Sequence, residues 1–562
     1  MAVGRTHWLV APFMAPLLLL VAGCATPTPP AGPAGPAAAP AESGPPKVNR
    51  VVMSVVAPAN FITFEVRHLA EPNSWPVRPM YDYLVGINNK TSKIEPSLLE
   101  SWQWSADGKS LSVKLRTGVK LHKDFGELKA SDVKFGWERM AKAQPDSTHG
   151  QLATWRTVND IDIVNDYELV FRLKTVDGNF VTALSEQQGG IEVQSKAHFD
   201  KLGGPVTFAT GPLAGSGPYQ YASHRDSEYL RFERVPWKHW RATPDFPEFE
   251  FRWAAEASTR QAQLLVGEVH IASLPEDLLQ QSVRSGMAVI KGQFPGTRVY
   301  GAWRCCMLKE PNDPSQGALY PGSPLLDLRV RRALNKAVNK DEVNKAFFGG
   351  KGETMYVNHM YPNRAGWNPD WEKKFKDAYG YDPAAAKALI AEAGYGPSKP
   401  LVTNIIVQPL PGVGSGGDLS EALTQYWRAA GVQVNLLQID GAEYSRVNRE
   451  RRYDNHLVPS ATGSNIWSGW TIWNSSLIVS PTPVQDNAVD KLLRELQGTV
   501  DEKKRDELWR KVGDAGFDAY MNLNLLWLPA EVVVNPKVVA GWVFPGDITG
   551  AYTHVWEVKG VR

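Results

Sequence analysis

Trp467, Trp470 and Trp473 recur at intervals of three, flanked by Ser464, Asn465 and Asn474. Flat apolar rings beside amide and hydroxyl groups suit a neutral polar ligand such as an oligosaccharide, stacked on the rings and hydrogen-bonded at their edges. The same i, i+3, i+6 spacing also lines one face of a helix, where the rings would pack a core. Trp303, in the strand-like run 298–304, is a further candidate for facing ligand, with core packing as its default. The adjoining pair Cys305-Cys306 has two outcomes in an oxidising compartment: a vicinal disulfide, or two thiols on opposite faces of a strand. A metal site there lacks nearby histidines, and three cysteines in the whole chain are too few for a four-thiolate zinc centre.

Other chemistries find less support. Gly412-Val413-Gly414-Ser415-Gly416-Gly417 fits the G-x-G-x-x-G dinucleotide pattern, and Asp440 follows at a fitting distance. Pro409 and Pro411 lengthen the turn whose tightness would bring backbone to a pyrophosphate, so a glycine loop before a helix is the expected structure. That helix opens with Asp418 and Glu421 and ends at Gly431. H-E-x-x-H and G-x-S-x-G are both missing, which removes the commonest zinc-protease and serine-hydrolase signals. A secreted glycoside hydrolase, which needs two facing carboxyl groups, stays as a distant alternative. No catalytic residue, metal or cofactor is assigned.

The 562 residues predict several lobes, since single cores stop growing well below that length. Lys+Arg 61 against Asp+Glu 59 leaves a net charge of +2, which gives no electrostatic footprint for nucleic acid. Arg5 followed by the apolar stretch 8–22 reads as an export signal, too short for the ~20 residues of a membrane span. Small residues just before Cys24 resemble the bacterial lipoprotein signal, in which cleavage after residue 23 leaves Cys24 as the acylated terminus. Residues 24–48 are an Ala/Pro-rich tether with eight prolines between 25 and 46. The expected location is extracytoplasmic, in the periplasm or at the cell surface, on a lipid anchor.

The body mixes short strands with amphipathic helices, an α/β pattern. Strand alternation appears at 111–115, 168–173 and 229–235, and helical spacing at 329–343, 384–393 and 489–512. Asp107-Gly108 is a hairpin signal, and Asp132 is placed to cap a helix running toward Met140.

Several segments, in order, resemble the family 5 extracellular solute-binding proteins, receptors of peptide- and nickel-type ABC importers. The most specific is Ile94-Glu95-Pro96-Ser97-Leu98-Leu99-Glu100-Ser101-Trp102, followed by Ala106-Asp107-Gly108-Lys109, by residues 115–122 and by Ala130-Ser131-Asp132-Val133-Lys134-Phe135. Gly215-Ser216-Gly217-Pro218-Tyr219 is similar to the family's G-T-G-P-Y turn, and 266–272 to its S-G-E-V-D-I-A strand with His270 in place of aspartate. Residues 327–335, 348–350 and 381–383 continue the match.

The resemblance implies a two-lobed periplasmic-binding-protein-like fold of the large type II form, with an extra β-rich subdomain. Lobe I would take 49–300, with the subdomain at about 86–200. Lobe II would take 301–526, and 527–562 would return to lobe I. It further implies a monomer that captures an oligopeptide or other small polar solute between closing lobes and hands it to ABC permease subunits. An oligosaccharide-specific member of the same fold is the alternative. Peptide-binding members hold the ligand ammonium with an acid in a G-W-x-x-D stretch after a Y-D pair. Here Tyr453-Asp454 precedes Gly469-Trp470-Thr471-Ile472-Trp473, so Trp473 stands at the acidic position, and no Asp or Glu occurs between Asp454 and Asp486. Asn465, Trp467, Trp470, Trp473 and Trp303 are the candidate ligand contacts.

Overall fold

Alternation of branched and aromatic residues builds one mixed sheet through the body. In the computed structural model its order is Val432–Gln438, Leu401–Val407, His456–Gly463, Ala288–Arg304, Asn522–Val534, Ile271–Ala272, Arg50–Val55, Glu248–Trp253, Tyr229–Arg234 and Tyr219–Arg225. Glu353–Thr354 pairs with the side of Asn522–Val534 as an eleventh strand. The structure describes residues 44–57, 64–65, 68, 75–142, 147, 152–186, 190–310, 313–408, 410, 416–452, 454–463, 487–546 and 553–562. All elements named here lie in the unit Pro45–Arg562. Cys24, Asn465, Trp467, Trp470 and Trp473 lie outside the described residues, as do Gly412 to Ser415.

Ala288–Arg304 and Asn522–Val534, of 17 and 13 residues, are long enough to reach through two cores. They pair antiparallel from Ala288↔Val534 to Ala302↔Asn522, with register shifts at 291/295, 295/297 and 299/300. One apolar cluster takes Val299, Trp303, Leu523 and Leu526 with helices of the 328–518 region. A second takes Ala530, Val532 and Val534 with Val51, Met53, Phe249, Phe251 and the C-terminal Val555 and Trp556. The two clusters are the hearts of the two lobes, and the paired strands carry the chain between them.

A third cluster, from Leu84 to Val193, forms the subdomain. Its antiparallel sheet runs Leu99–Trp104, Ser110–Leu115, Glu168–Leu173, Val158–Asn165. The Asp107-Gly108 turn joins the first two, with Gly108 at φ +67° and Asp107 accepting from the Lys109 amide at 3.1 Å. Trp137, Trp155, Trp303, Trp371, Trp427 and Trp527 are all but wholly enclosed, so much of the tryptophan excess fills cores. Each such ring contributes at least the about 1.5–3 kcal/mol typical of a fully buried apolar side chain.

Three local expectations change. The single helix expected over 329–343 is two, Leu328–Lys336 and Lys340–Phe348, because Asn339 leaves helical geometry and caps the second by accepting from the Glu342 amide. The helix expected over 489–512 is likewise Asn487–Gln497 and Glu502–Asp518, restarted by Asp501, which accepts from the Lys504 amide. Asp132 sits at the third position of Ala130–Met140, where it accepts the Lys129 amide at 2.9 Å in a capping box.

The Gly215–Tyr219 motif seals the subdomain to the first lobe. A Cβ on Gly215 would stand 2.2 Å from the Met80 carbonyl oxygen, and one on Gly217 2.5 Å from that of Pro79, so only glycine allows this approach. Ser216 donates to Asp82 at 3.1 Å, and Nε2 of His122 and of His239 lie 2.9 and 2.7 Å from the carbonyls of Gly217 and Ser216. Burial pushes the His122 pKa down to about 4, so it is a neutral donor at neutral pH.

Candidate ligand site at the crossing strands

The bulge at 299/300 sorts the side chains of the crossing strands into two opposite layers. Val299 pairs with Leu526, Gly301 with Leu523, and these join Trp303 in the core of the second lobe. Arg298 pairs with Trp527, Tyr300 with Asn524 and Ala302 with Asn522, and these make up the other face. There, among the described residues, the apolar cluster is Tyr300, Ala302, Met355 and Trp527 with Tyr361 against them. The rest of that face is polar.

Arg298 organises it. Its Nε donates to the Gly463 carbonyl at 2.7 Å, Nη2 to Thr462 Oγ1 at 2.8 Å and Nη1 to Asn358 Oδ1 at 2.9 Å, with the His359 ring alongside. Its guanidinium lies 5.2 Å from the Tyr300 ring centre. Burial lowers the Arg298 pKa to about 10, which leaves it cationic at neutral pH. Gly463 is the last residue of its strand, so the charged node grips the chain immediately before the tryptophan-bearing segment.

Three side chains on the same face leave hydrogen-bonding atoms unused. Asn358 donates to Asn522 Oδ1 at 3.2 Å and Asn524 donates to the Tyr356 carbonyl at 3.0 Å, yet Asn522 Nδ2, Asn524 Oδ1 and the Trp527 indole N–H have no partner among the described residues. A buried donor or acceptor left this way costs about 1–3 kcal/mol. The cost is removed when water or a ligand reaches the groups. Trp527 meets the Tyr361 ring edge-on at 5.6 Å, and the Tyr361 hydroxyl donates to Glu353 at 2.6 Å. Burial, followed by the neighbouring carboxylate, raises the Tyr361 pKa.

The lobes also meet beside these strands. Lys351 of the second lobe holds Glu276 at 2.7 Å and Glu531 at 2.9 Å. Burial alone would lower its pKa, but the two carboxylates outweigh that and raise it.

Trp303 takes its default place. It is wholly buried, its indole donates to the Tyr520 carbonyl at 2.9 Å, and its ring stacks on Trp427 at 6.1 Å. Strand parity puts it on the face opposite Tyr300. Cys305 and Cys306 are joined in a vicinal disulfide and buried in the same core. The reading of residues by type missed Arg298, Asn358, Asn522, Asn524 and Trp527. The alternation Asn522-Leu523-Asn524, polar against apolar in a strand, was the available signal. His270, in place of the family's aspartate, accepts the Val52 amide at 3.1 Å on Nδ1, so it serves the first lobe's strands.

Among the described residues no group of three or more His, Cys, Asp or Glu could hold a metal ion, and no helix is long and apolar enough to cross a membrane. The family model of bacterial extracellular solute-binding proteins, family 5 (middle region), matches residues 93–483. A dipeptide-binding protein of Escherichia coli K12 is 27% identical over 406 residues, 69% of this chain and 71% of its own. Heme-binding protein A of Haemophilus influenzae is 24% identical over 466 residues, 77% of this chain and 78% of its own. The solved structure of HbpA2 from Haemophilus parasuis superposes with a TM-score of 0.74 at 22% identity, covering 92% of this chain and 100% of that one, a likeness of fold.

Proposed function

The chain belongs to the bacterial extracellular solute-binding proteins of family 5, and from that premise we propose that it is the lipid-anchored, solute-capturing component of an ABC importer. It binds a peptide or other small polar solute between two closing lobes outside the cytoplasm and delivers it to the permease subunits. Cys24 carries the lipid and 24–48 is the tether. Lobe I is 49–300 with 527–562, lobe II is 301–526, and the monomer is the working unit. The observation that carries this reading is the pair of strands that links two separate cores while leaving Asn522, Asn524 and Trp527 with hydrogen-bonding atoms unused among the described residues on one face. Hinged strands of this kind let lobes close on a ligand with little change inside either core.

Solute class follows from two supports of different weight. The relatives named for dipeptides favour peptides. The tryptophans of 467–473 and the lack of any acid between Asp454 and Asp486 favour a neutral solute, with an oligosaccharide as the second reading. A buried ammonium without a carboxylate is strongly disfavoured. A hydrolase receives no support, since the named relatives are binding proteins.

A thermal-shift panel on the whole chain, spanning di- and tripeptides, N-acylated peptides and oligosaccharides, tests the assignment. A solute at 100 times its Kd stabilises the chain by about 2.7 kcal/mol. Peptide-only shifts support the first reading and saccharide-only shifts the second. Catalytic consumption of a panel solute without saturable binding contradicts both.

A further inference from the structure

The subdomain touches the second lobe through a contact independent of the crossing strands. The turn at 176–179 leaves the subdomain sheet and lands on the junction between Asn487–Gln497 and Glu502–Asp518. The Gly178 amide donates to the Gln497 carbonyl at 2.7 Å. Arg505, at the start of the second helix, donates through Nη1 to the carbonyls of Leu496 and Thr499 at 2.9 and 3.0 Å, and through Nη2 to Asn179 Oδ1 at 2.7 Å. Asp177 is buried beside the same arginine, its Oδ1 accepting the Asn179 amide at 3.0 Å. The fit leaves no slack, because a Cβ on Gly178 would stand 1.9 Å from the Thr499 oxygen. One cationic side chain therefore ties the broken helix of the second lobe to the subdomain.

With this contact made, the protein is a closed ring: the first lobe joins the second through the crossing strands, the second joins the subdomain through Arg505 and, away from it, through the Arg364 bond to Ser92 at 2.9 Å, and the subdomain rejoins the first lobe at Asp82 and the Gly215–Tyr219 turn. We infer that the 176–179 turn and Arg505 form a clasp that holds the lobes closed and must part before they open. A ring of three bodies with one hinge cannot widen unless a second joint releases. The seam at Asp82 is fully buried, and its carboxylate takes Ser216, Trp240 and Arg241 together, whereas the clasp crosses its joint by the Gly178 amide bond to Gln497 and the Arg505 bond to Asn179, with Asp177 beside the arginine. The clasp is thus the joint that yields. The inference rests on the two-lobed fold and needs no solute identity, so its failure would leave the solute-binding reading standing.

Pulsed electron–electron resonance on the whole chain reads it directly. Spin labels are placed on Ser112→Cys in the subdomain and Lys387→Cys in the second lobe, both exposed, with Cys24→Ser so that only these sites react. The parent chain without solute gives a short and a long distance. Gly178→Val and Asn179→Ala each enlarge the longer-distance population, raising its ratio to the short one about tenfold, as loss of a charge-assisted hydrogen bond predicts. Asn179→Ala leaves the bonds of Arg505 to Leu496 and Thr499 in place, so the second lobe keeps its fold, verified by an unchanged circular dichroism spectrum. Distance distributions identical to the parent in both folded variants would overturn the clasp.

Discussion

The Ser216 hydroxyl donates to Oδ2 of Asp82 at 3.1 Å across 134 residues of sequence, at the centre of the seam between first lobe and subdomain. Trp240 Nε1 donates to the same oxygen at 3.0 Å, and Arg241 pairs with the carboxylate. Burial by itself would raise the Asp82 pKa, but Arg241 and His239 overcome it and hold the carboxyl well below the usual range. The ionised group therefore contributes stability above the unfolded pKa of about 3.9, and that contribution is lost as the pH falls further. Asp82→Asn should unfold about 2–4 kcal/mol more easily at neutral pH. It should also lose part of the acid slope below about pH 4 in urea titrations. Equal acid slopes in the two proteins would contradict the assignment.

Lys340 gives a slope at the other end of the scale. Its ammonium is buried and donates to the carbonyls of Asn335 and Tyr379 at 2.9 and 2.8 Å. Burial, aided by Lys336, pushes its pKa down to about 7. Between that value and the unfolded ~10.4 the unfolded chain binds the extra proton, so stability rises with pH through the window. Lys340→Met should flatten this rise, as measured by denaturant midpoints from neutral to alkaline pH. A rise of the same size in the variant would show that another group titrates there.

Much of the fold was legible because its motifs are local. The hairpin at Asp107-Gly108, the Gly215–Tyr219 turn and the strands at 111–115 and 168–173 each carry their geometry in a few adjacent residues. The breaks at Asn339 and Asp501 were not read, because an apolar stripe on either side of a cap keeps helical spacing while the capping side chain alone turns the backbone. Trp303 could be placed only by knowing which strand face meets which core. The floor at Arg298, Asn522 and Asn524 depends on the bulge at 299/300, a register event between residues more than 200 positions apart.

Arg298→Met keeps the side-chain length but leaves Asn358 Oδ1, Thr462 Oγ1 and the Gly463 carbonyl without their donor. Loss of three bonds to a buried cation should destabilise the chain by about 2–4 kcal/mol, read as a lowered denaturant midpoint. A change within about 0.5 kcal/mol, the range of a neutral surface substitution, would mean that the node does not hold this face together.

For the tryptophan segment, Trp470→Ala should weaken solute binding by about 1–3 kcal/mol if the ring stacks on the ligand, with little effect on the unfolding midpoint. Unchanged affinity in the folded variant would remove Trp470 from the site.

Isothermal titration with the solute selected by the panel, followed by mass spectrometry of the recovered solute, tests the central claim most directly. A solute-binding receptor gives one saturable site per chain, a negative heat-capacity change from apolar burial as the lobes close, and solute recovered chemically intact. A solute recovered cleaved or otherwise converted, or no saturable binding across peptides and oligosaccharides, would contradict it.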